Sequence, residues 1–236
     1  MKKKSISIII PTLNEEKNIK VLLDSLKNQT FKNFEIIVSD TYSKDNTVKI
    51  AKKYNTKIVL TRKKGPAAGR NEGVKKARGN ILVFLDADVF VTKNYLFRIM
   101  NLFPNKEIIG GVCSFYPNEG NIFYKFMFKL GNLWSKLSIK TKIPYAPTFC
   151  LFIRKDVYKK INGFREDLVY CEDNDLVIRA KKYGRFVYLF NPVCVSLRRF
   201  KKRGHFLTFF EYIVPTIHYF LKNEVPSTKF KLEIVR

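Results

Sequence analysis

The chain has 236 residues, 46% of them hydrophobic, enough to bury a substantial core as one large domain or a domain with an appendage. Its 45 Lys and Arg against 20 Asp and Glu leave a net charge of +25, which attracts nucleotide phosphates, nucleic acid and anionic lipid headgroups alike. Four scattered cysteines (Cys113, Cys150, Cys171, Cys194) form no Cys-x-x-Cys pair. That argues against a zinc site and a disulfide framework, and for reduced thiols in a cytoplasmic protein.

Met1-Lys2-Lys3-Lys4 followed by Ser5 to Ile10 looks superficially like a signal peptide. Its apolar core is too short, Pro11 interrupts it and no small-residue cleavage site follows, so it reads as a first strand. Asn14-Glu15-Glu16 is expected to open a helix whose Ile19, Leu22, Leu23 and Leu26 share one face. Glu35 to Val38 reads as a second strand ending at Asp40, and Asp45-Asn46 as the cap of a helix through Tyr54. Lys57 to Leu60 is a third strand, and Gly65 to Arg78 a loop leading into a helix that Gly79 ends. Next comes Ile81-Leu82-Val83-Phe84-Leu85, an apolar run of the kind buried on both faces inside a parallel sheet. This βαβαβαβ order predicts a parallel, right-handed, doubly wound half-sheet.

The second half is less regular. Helix is expected over Thr92 to Phe103, strand at Gly111 to Phe115 and at Phe149 to Ile153, a short helix at Asp156 to Ile161, and a longer one from Glu172 to Tyr183, ended by Gly184. Two segments are amphipathic at helical spacing. One carries Phe123, Phe126, Met127, Leu130, Leu133, Trp134 and Leu137, with Lys125, Lys129 and Lys136 off the stripe. The other carries Phe206, Phe209, Phe210, Ile213, Val214, Ile217 and Leu221 after the basic cluster Arg198, Arg199, Lys201, Lys202, Arg203. Two readings stand for each stripe: it covers the sheet or packs on the other, or it lies at a membrane surface with Lys and Arg at the headgroups. Neither spans a bilayer, which takes about 20 apolar residues.

The acidic residues carry the chemistry. Asp86-Ala87-Asp88 follows the buried run, so both carboxylates sit where the strand emerges, at the edge where open α/β sheets bind ligands. Two such groups repel unless a cation lies beside them, and hard oxygen donors suit Mg²⁺ or Mn²⁺ shared with substrate phosphates. Glu15 past the first strand and Asp40 after the second are expected at the same edge.

In this order and spacing, the chain resembles the inverting nucleotide-sugar glycosyltransferases of the GT-A fold, the large family that includes dolichyl-phosphate mannosyltransferase and many polysaccharide transferases. The resemblance rests on Ile8-Ile9-Ile10-Pro11-Thr12-Leu13-Asn14-Glu15, on Asp40 with Ser43, Asp45, Asn46 and Thr47, and on Gly69-Arg70-Asn71-Glu72-Gly73 leading into Leu85-Asp86-Ala87-Asp88. Ile161-Asn162-Gly163-Phe164 and Glu172-Asp173-Asn174-Asp175-Leu176, with Arg179 and Gly184, complete it.

What the resemblance implies is an α/β fold with a mostly parallel GT-A sheet flanked by helices. Residues 1–190 would form the transferase domain, with an amphipathic insertion at about 120–140, and 191–236 a basic cluster with an amphipathic helix. It implies a nucleoside pocket lined by Pro11, Thr12, Asn14 and Glu15, with Asp40 accepting a hydrogen bond from the base. Arg70 would position the diphosphate or sugar, Asp86 and Ala87 would face the ribose or sugar, and Asp88, with Asp86, would ligate Mn²⁺ or Mg²⁺. Asp173 would be the general base beside Glu172, and Gly163-Phe164 the loop under the acceptor. Without the resemblance, Glu172-Asp173 reads as charge complementing a helix N-terminus.

Some positions depart from the family pattern. Thr41 stands where many relatives carry an acid. No Gln-x-x-Arg-Trp follows Gly184, so a single addition is expected rather than processive synthesis. Where relatives often place a His, Arg198 and Arg199 stand ready to pair with a diphosphate, with His205 a weaker candidate. The expected activity is metal-dependent, inverting transfer from a UDP- or GDP-sugar to a lipid-linked or saccharide acceptor, at the cytoplasmic face of a membrane. The alternatives are a sugar-phosphate nucleotidyltransferase, which usually needs a glycine-rich first loop that Pro11 to Glu15 lacks, and a basic nucleic-acid-binding protein, for which no reading motif is present.

Overall fold

A computed structural model describes residues 5–63 and 65–222, with the side chains of 199–200, 203 and 205–213 outside the description. Strands β1 (Ile6–Thr12), β2 (Phe34–Asp40), β3 (Lys57–Leu60) and β4 (Ile81–Phe84) pair in parallel in the order β3-β2-β1-β4. Helices α1 (Ile19–Lys27), α2 (Thr47–Lys52) and α3 (Pro66–Lys75) are their crossovers. Ile8, Ile9, Ile10, Leu82, Val83 and Phe84 are fully buried, as expected of strands covered on both faces. The predicted parallel half-sheet is therefore present. The chain moves outward from β1 through β2 to β3, then returns to place β4 on the other side of β1. That reversal opens a crevice at the carboxyl ends of β1 and β4.

The second half extends the sheet antiparallel before returning to parallel. Next come β5 (Val89–Val91), α4 (Tyr95–Met100), β6 (Ile108–Pro117), α5 (Ile122–Ser138), β7 (Leu151–Arg154), α6 (Lys155–Lys160), α7 (Glu172–Ala180) and β8 (Arg185–Val195). The full order is β3-β2-β1-β4-β7-β6-β8-β5. β7 runs antiparallel to β4 and β6, β8 parallel to β6, and β5 antiparallel to β8. Helices α8 (Arg198–Arg203) and α9 (His205–Lys222) follow, and Tyr219 of α9 packs with Leu168, Tyr170 and Cys171.

Three expectations change. The helix expected from Asn14 starts only at Ile19, because Asn14 adopts φ 54° and its side-chain oxygen accepts from Lys44 N–H at 2.8 Å, holding 13–18 as a rim loop. Strands β5 and β8 were not anticipated. The stripe on α5 does not cover the sheet: the helix turns Tyr124, Phe128, Asn132, Ser135 and Ser138 inward and leaves most of its apolar arc in solvent. Phe206, Phe209, Phe210 and Ile213 lie outside the described side chains.

Candidate active site

The register of β1 and β2 sets Thr12 opposite Asp40 at the carboxyl edge. Asp40 has no exposed surface. Its carboxylate accepts from the Thr12 hydroxyl at 2.8 Å, from Ser43 N–H at 2.7 Å and from the Ser43 hydroxyl at 2.6 Å. The residue assigned to base reading is thus a buried brace that joins two rim loops. Ser43 passes the connection on by accepting from Asn14 N–H at 2.8 Å, and Thr47 accepts from Glu15 N–H at 2.7 Å. Pro11 lies against α3, where Gly69 leaves room for it: a Cβ there would stand 3.3 Å from Pro11 Cβ.

Glu15 reaches across the crevice. Both its carboxylate oxygens accept from Arg198, at 3.0 and 2.9 Å, and the same guanidinium donates to Asp88 Oδ2 at 3.3 Å. Ala87 is buried between Asp86 and Asp88, while both acids keep part of their surface exposed. Burial first, then the neighbouring Asp86 and Glu15, push the Asp88 carboxyl up to about 6 despite Arg198. A half-desolvated carboxylate held among like charges, with hard oxygen donors only, fits a divalent cation. Among the described residues no three His, Cys, Asp or Glu side chains converge to hold a metal unaided. One or two carboxylates completed by substrate phosphates is the arrangement Mg²⁺ commonly takes.

On the far side of Asp86 stands Arg70, 3% exposed, projecting from α3. One terminal nitrogen donates to Asp86 Oδ1 at 2.9 Å and the other to Glu172 Oε1 at 3.1 Å. Its Nε has no partner among the described residues. The expected diphosphate ligand is therefore a clamp between two carboxylates. Glu172 and Asp173 occupy the first turn of α7, entered through Cys171 at φ 65°. Burial, then the adjacent Asp173, raise Glu172 to about 7, and burial raises Asp173 as well. Asp173 is the more accessible of the two. It accepts from the Thr148 hydroxyl at 3.1 Å and from Asn174 N–H at 2.8 Å.

Contacts thus run across the rim from Glu15 through Arg198 to Asp88, and from Asp86 through Arg70 to Glu172, whose chain neighbour is Asp173. Phe164 closes the floor beneath Arg70, its ring 5.6 Å from the guanidinium carbon, while Asn71 donates to Phe164 C=O at 2.9 Å. Arg199 and His205 fall outside the described side chains. Sequence reasoning missed Thr148 and Tyr219. The first is 25 residues from its carboxylate; the second donates to buried Asp175 at 3.0 Å from 44 residues away. Neither carries a local motif.

The family model described as Glycosyl transferase family 2 matches residues 7–162. The chain is 31% identical over 190 residues to glycosyltransferase AglE of Haloferax volcanii, covering 76% of this chain and 62% of that protein. It therefore spans less than two thirds of that relative's length. Over 98 residues it is 40% identical to poly(ribitol-phosphate) beta-N-acetylglucosaminyltransferase TarS of Staphylococcus aureus, a match covering 38% of this chain and 17% of TarS. The crystal structure of TarS 1-349 with UDP superposes with a TM-score of 0.63 at 24% identity, covering 84% of this chain and 62% of that one. Mannosyltransferase PcManGT from Pyrobaculum calidifontis, solved with GDP-Man and Mn²⁺, gives 0.75 at 18% identity over 97% of this chain and 67% of the other. At these identities the structural likeness establishes a shared GT-A architecture.

Proposed function

The chain belongs to glycosyl transferase family 2, and on that premise we propose that it moves a sugar from a UDP- or GDP-sugar to an acceptor with inversion, assisted by Mn²⁺ or Mg²⁺. The family match leaves the nucleotidyltransferase and nucleic-acid readings without support. The acceptor is a lipid-linked sugar or phosphate at a membrane surface, reached from the cytoplasmic face.

One observation carries the reading: the ion-paired carboxylates and guanidiniums along the crevice, with Asp88 toward one end and Glu172, next to Asp173, at the other. Asp88, with Asp86, would hold the cation, which when bound neutralises charge on the departing diphosphate. Asn14 and Glu15 bring their loop to the donor side, anchored through Ser43 and Thr47. Pro11 and Thr12 form the wall of the nucleoside pocket, and Asp40 keeps that wall in register with β2. Arg198 is the cation on the same side; its planar fork, now on Glu15, matches phosphate oxygens equally well.

Across the rim, Arg70 fixes Asp86 and Glu172 against each other, so the donor and acceptor halves share one rigid cross-brace. Asp173 then takes the acceptor's proton as its oxygen attacks the anomeric carbon from the face opposite the diphosphate. Thr148 orients that carboxylate. Gly163-Phe164 supports the acceptor from below.

Transfer or hydrolysis of UDP- and GDP-sugars with Mn²⁺ is the test, comparing native protein with Asp88→Ala. Turnover of one donor by the native chain, reduced at least a hundredfold in the variant, is expected. Equal turnover in both would remove the metal assignment, and no turnover of any donor by the native chain would remove the transferase reading.

A further inference from the structure

Helix α5 is built inside out. Its 17 residues, about 25 Å of helix, bury the polar Asn132, Ser135 and Ser138 beside the aromatic Tyr124 and Phe128. Meanwhile Ile122, Phe126, Leu130, Leu133, Trp134 and Leu137 stand between 44% and 81% exposed. At 100° per residue these six fall within one 120° arc. Lys125, Lys129 and Lys136 fill a narrow strip along one border of that arc, and all three are exposed. A soluble surface rarely presents so continuous an apolar stripe unless something covers it.

The geometry points to a lipid bilayer bearing anionic headgroups as the partner of this face, with α5 lying in the interface plane. Charge complementarity selects it. A second copy of a +25 chain would bring the same lysine border against its own stripe, whereas anionic headgroups neutralise that border as the apolar arc enters the acyl boundary. The surroundings agree. Before the helix, Glu119 pairs with Lys201 of the basic α8 at 2.8 Å, so that cluster flanks the N-terminal end of α5. After it, Lys140, Lys142 and half-exposed Ile143 continue the same mixture of charge and apolar surface. Among the described residues no helix is long and apolar enough to cross a membrane, so α5 lies on the bilayer rather than through it.

The placement also deepens the function proposed above, on which this part rests. Ser135 donates to Tyr145 C=O, and Ser138 accepts from Tyr145 N–H, both at 2.9 Å. Ala146 N–H donates to Asn174 at 3.1 Å and Thr148 to Asp173 at 3.1 Å. The end of the docked helix is therefore tied within a few residues to the acceptor carboxylate, which suits an acceptor whose reacting group lies at headgroup level.

Trp134 is the sole tryptophan and sits on the face in question, so the native chain carries its own probe. In roughly 0.1 M salt, vesicles of phosphatidylcholine with phosphatidylglycerol are expected to sediment the chain and shift Trp134 emission to the blue, with phosphatidylcholine alone far less effective. A Phe126→Glu, Leu133→Glu double variant should partition about a hundredfold more weakly, with unchanged melting temperature and nucleotide binding. Three results would overturn the docking face: no sedimentation and no shift for the native chain, equal sedimentation of native and variant, or a native dimer by light scattering that the variant splits. Failed vesicle binding with intact sugar transfer to a soluble acceptor removes the docking face alone. Lost transfer with intact vesicle binding removes the transferase reading alone.

Discussion

Glu172 and Asp173 are adjacent in sequence yet held by different partners. Glu172 is pinned by Arg70, while Asp173 is reachable and held by a hydroxyl. Asp173→Asn should therefore lower transfer to a hydroxyl acceptor by about 10²–10⁴ with donor binding unchanged. Little change would mean that the acceptor is itself a phosphate, which needs no base. The raised carboxyls also make activity and stability move in opposite directions with pH. Glu172, pushed up to about 7, and Asp88, up to about 6, bind protons more tightly in the folded chain than in the unfolded one. Stability should then rise as pH falls from about 8 toward 5, by at most about 1.4 kcal/mol per pH unit for each group. Transfer should fall with falling pH, as Asp173, raised by its burial and proposed as the base, takes up a proton. Melting temperatures in EDTA across this window check the first part, and Glu172→Gln should flatten the slope.

At the scale of elements, what was legible followed from burial. Ile6 to Ile10 and Ile81 to Leu85 have no polar face to mislead, and their order alone gives the parallel half-sheet with its carboxylates at one edge. Strand β8 was hidden because Arg185-Phe186-Val187-Tyr188-Leu189-Phe190-Asn191-Pro192-Val193-Cys194-Val195 alternates imperfectly and contains a proline, which reads as a break. The acids at strand and helix ends and the two arginines could be found in the sequence, but not which of them pair. Arg70 meets Glu172 across 102 residues and Arg198 meets Glu15 across 183, distances no local pattern encodes. Asn132 shows the same limit inside α5. It accepts from Phe115 N–H at 2.9 Å and from the Tyr188 hydroxyl at 2.8 Å, and donates to Phe115 and Phe128 C=O at 2.6 and 2.8 Å, next to the register shift between β6 and β8. Asn132→Leu would strand those buried groups. A loss of about 2–4 kcal/mol in denaturant unfolding is expected, although leucine is the more apolar residue.

Over the whole molecule, a net charge of +25 surrounds a rim in which four carboxylates (Glu15, Asp86, Asp88, Glu172) pair with two guanidiniums, with Asp173 beside them. The outer field gathers anions of every kind, and the acidic rim alone would repel a diphosphate. A divalent cation would reconcile the two, so on the proposed function donor binding should require metal even though the protein is strongly basic. Calorimetric titration of UDP and GDP into the chain, with Mn²⁺ and then with EDTA, measures this directly. Binding of one nucleotide with Mn²⁺ is expected, with its loss in EDTA and in Asp88→Ala and its retention in Asp173→Asn. Equal affinity with and without metal, unaltered by Asp88→Ala, would contradict that requirement.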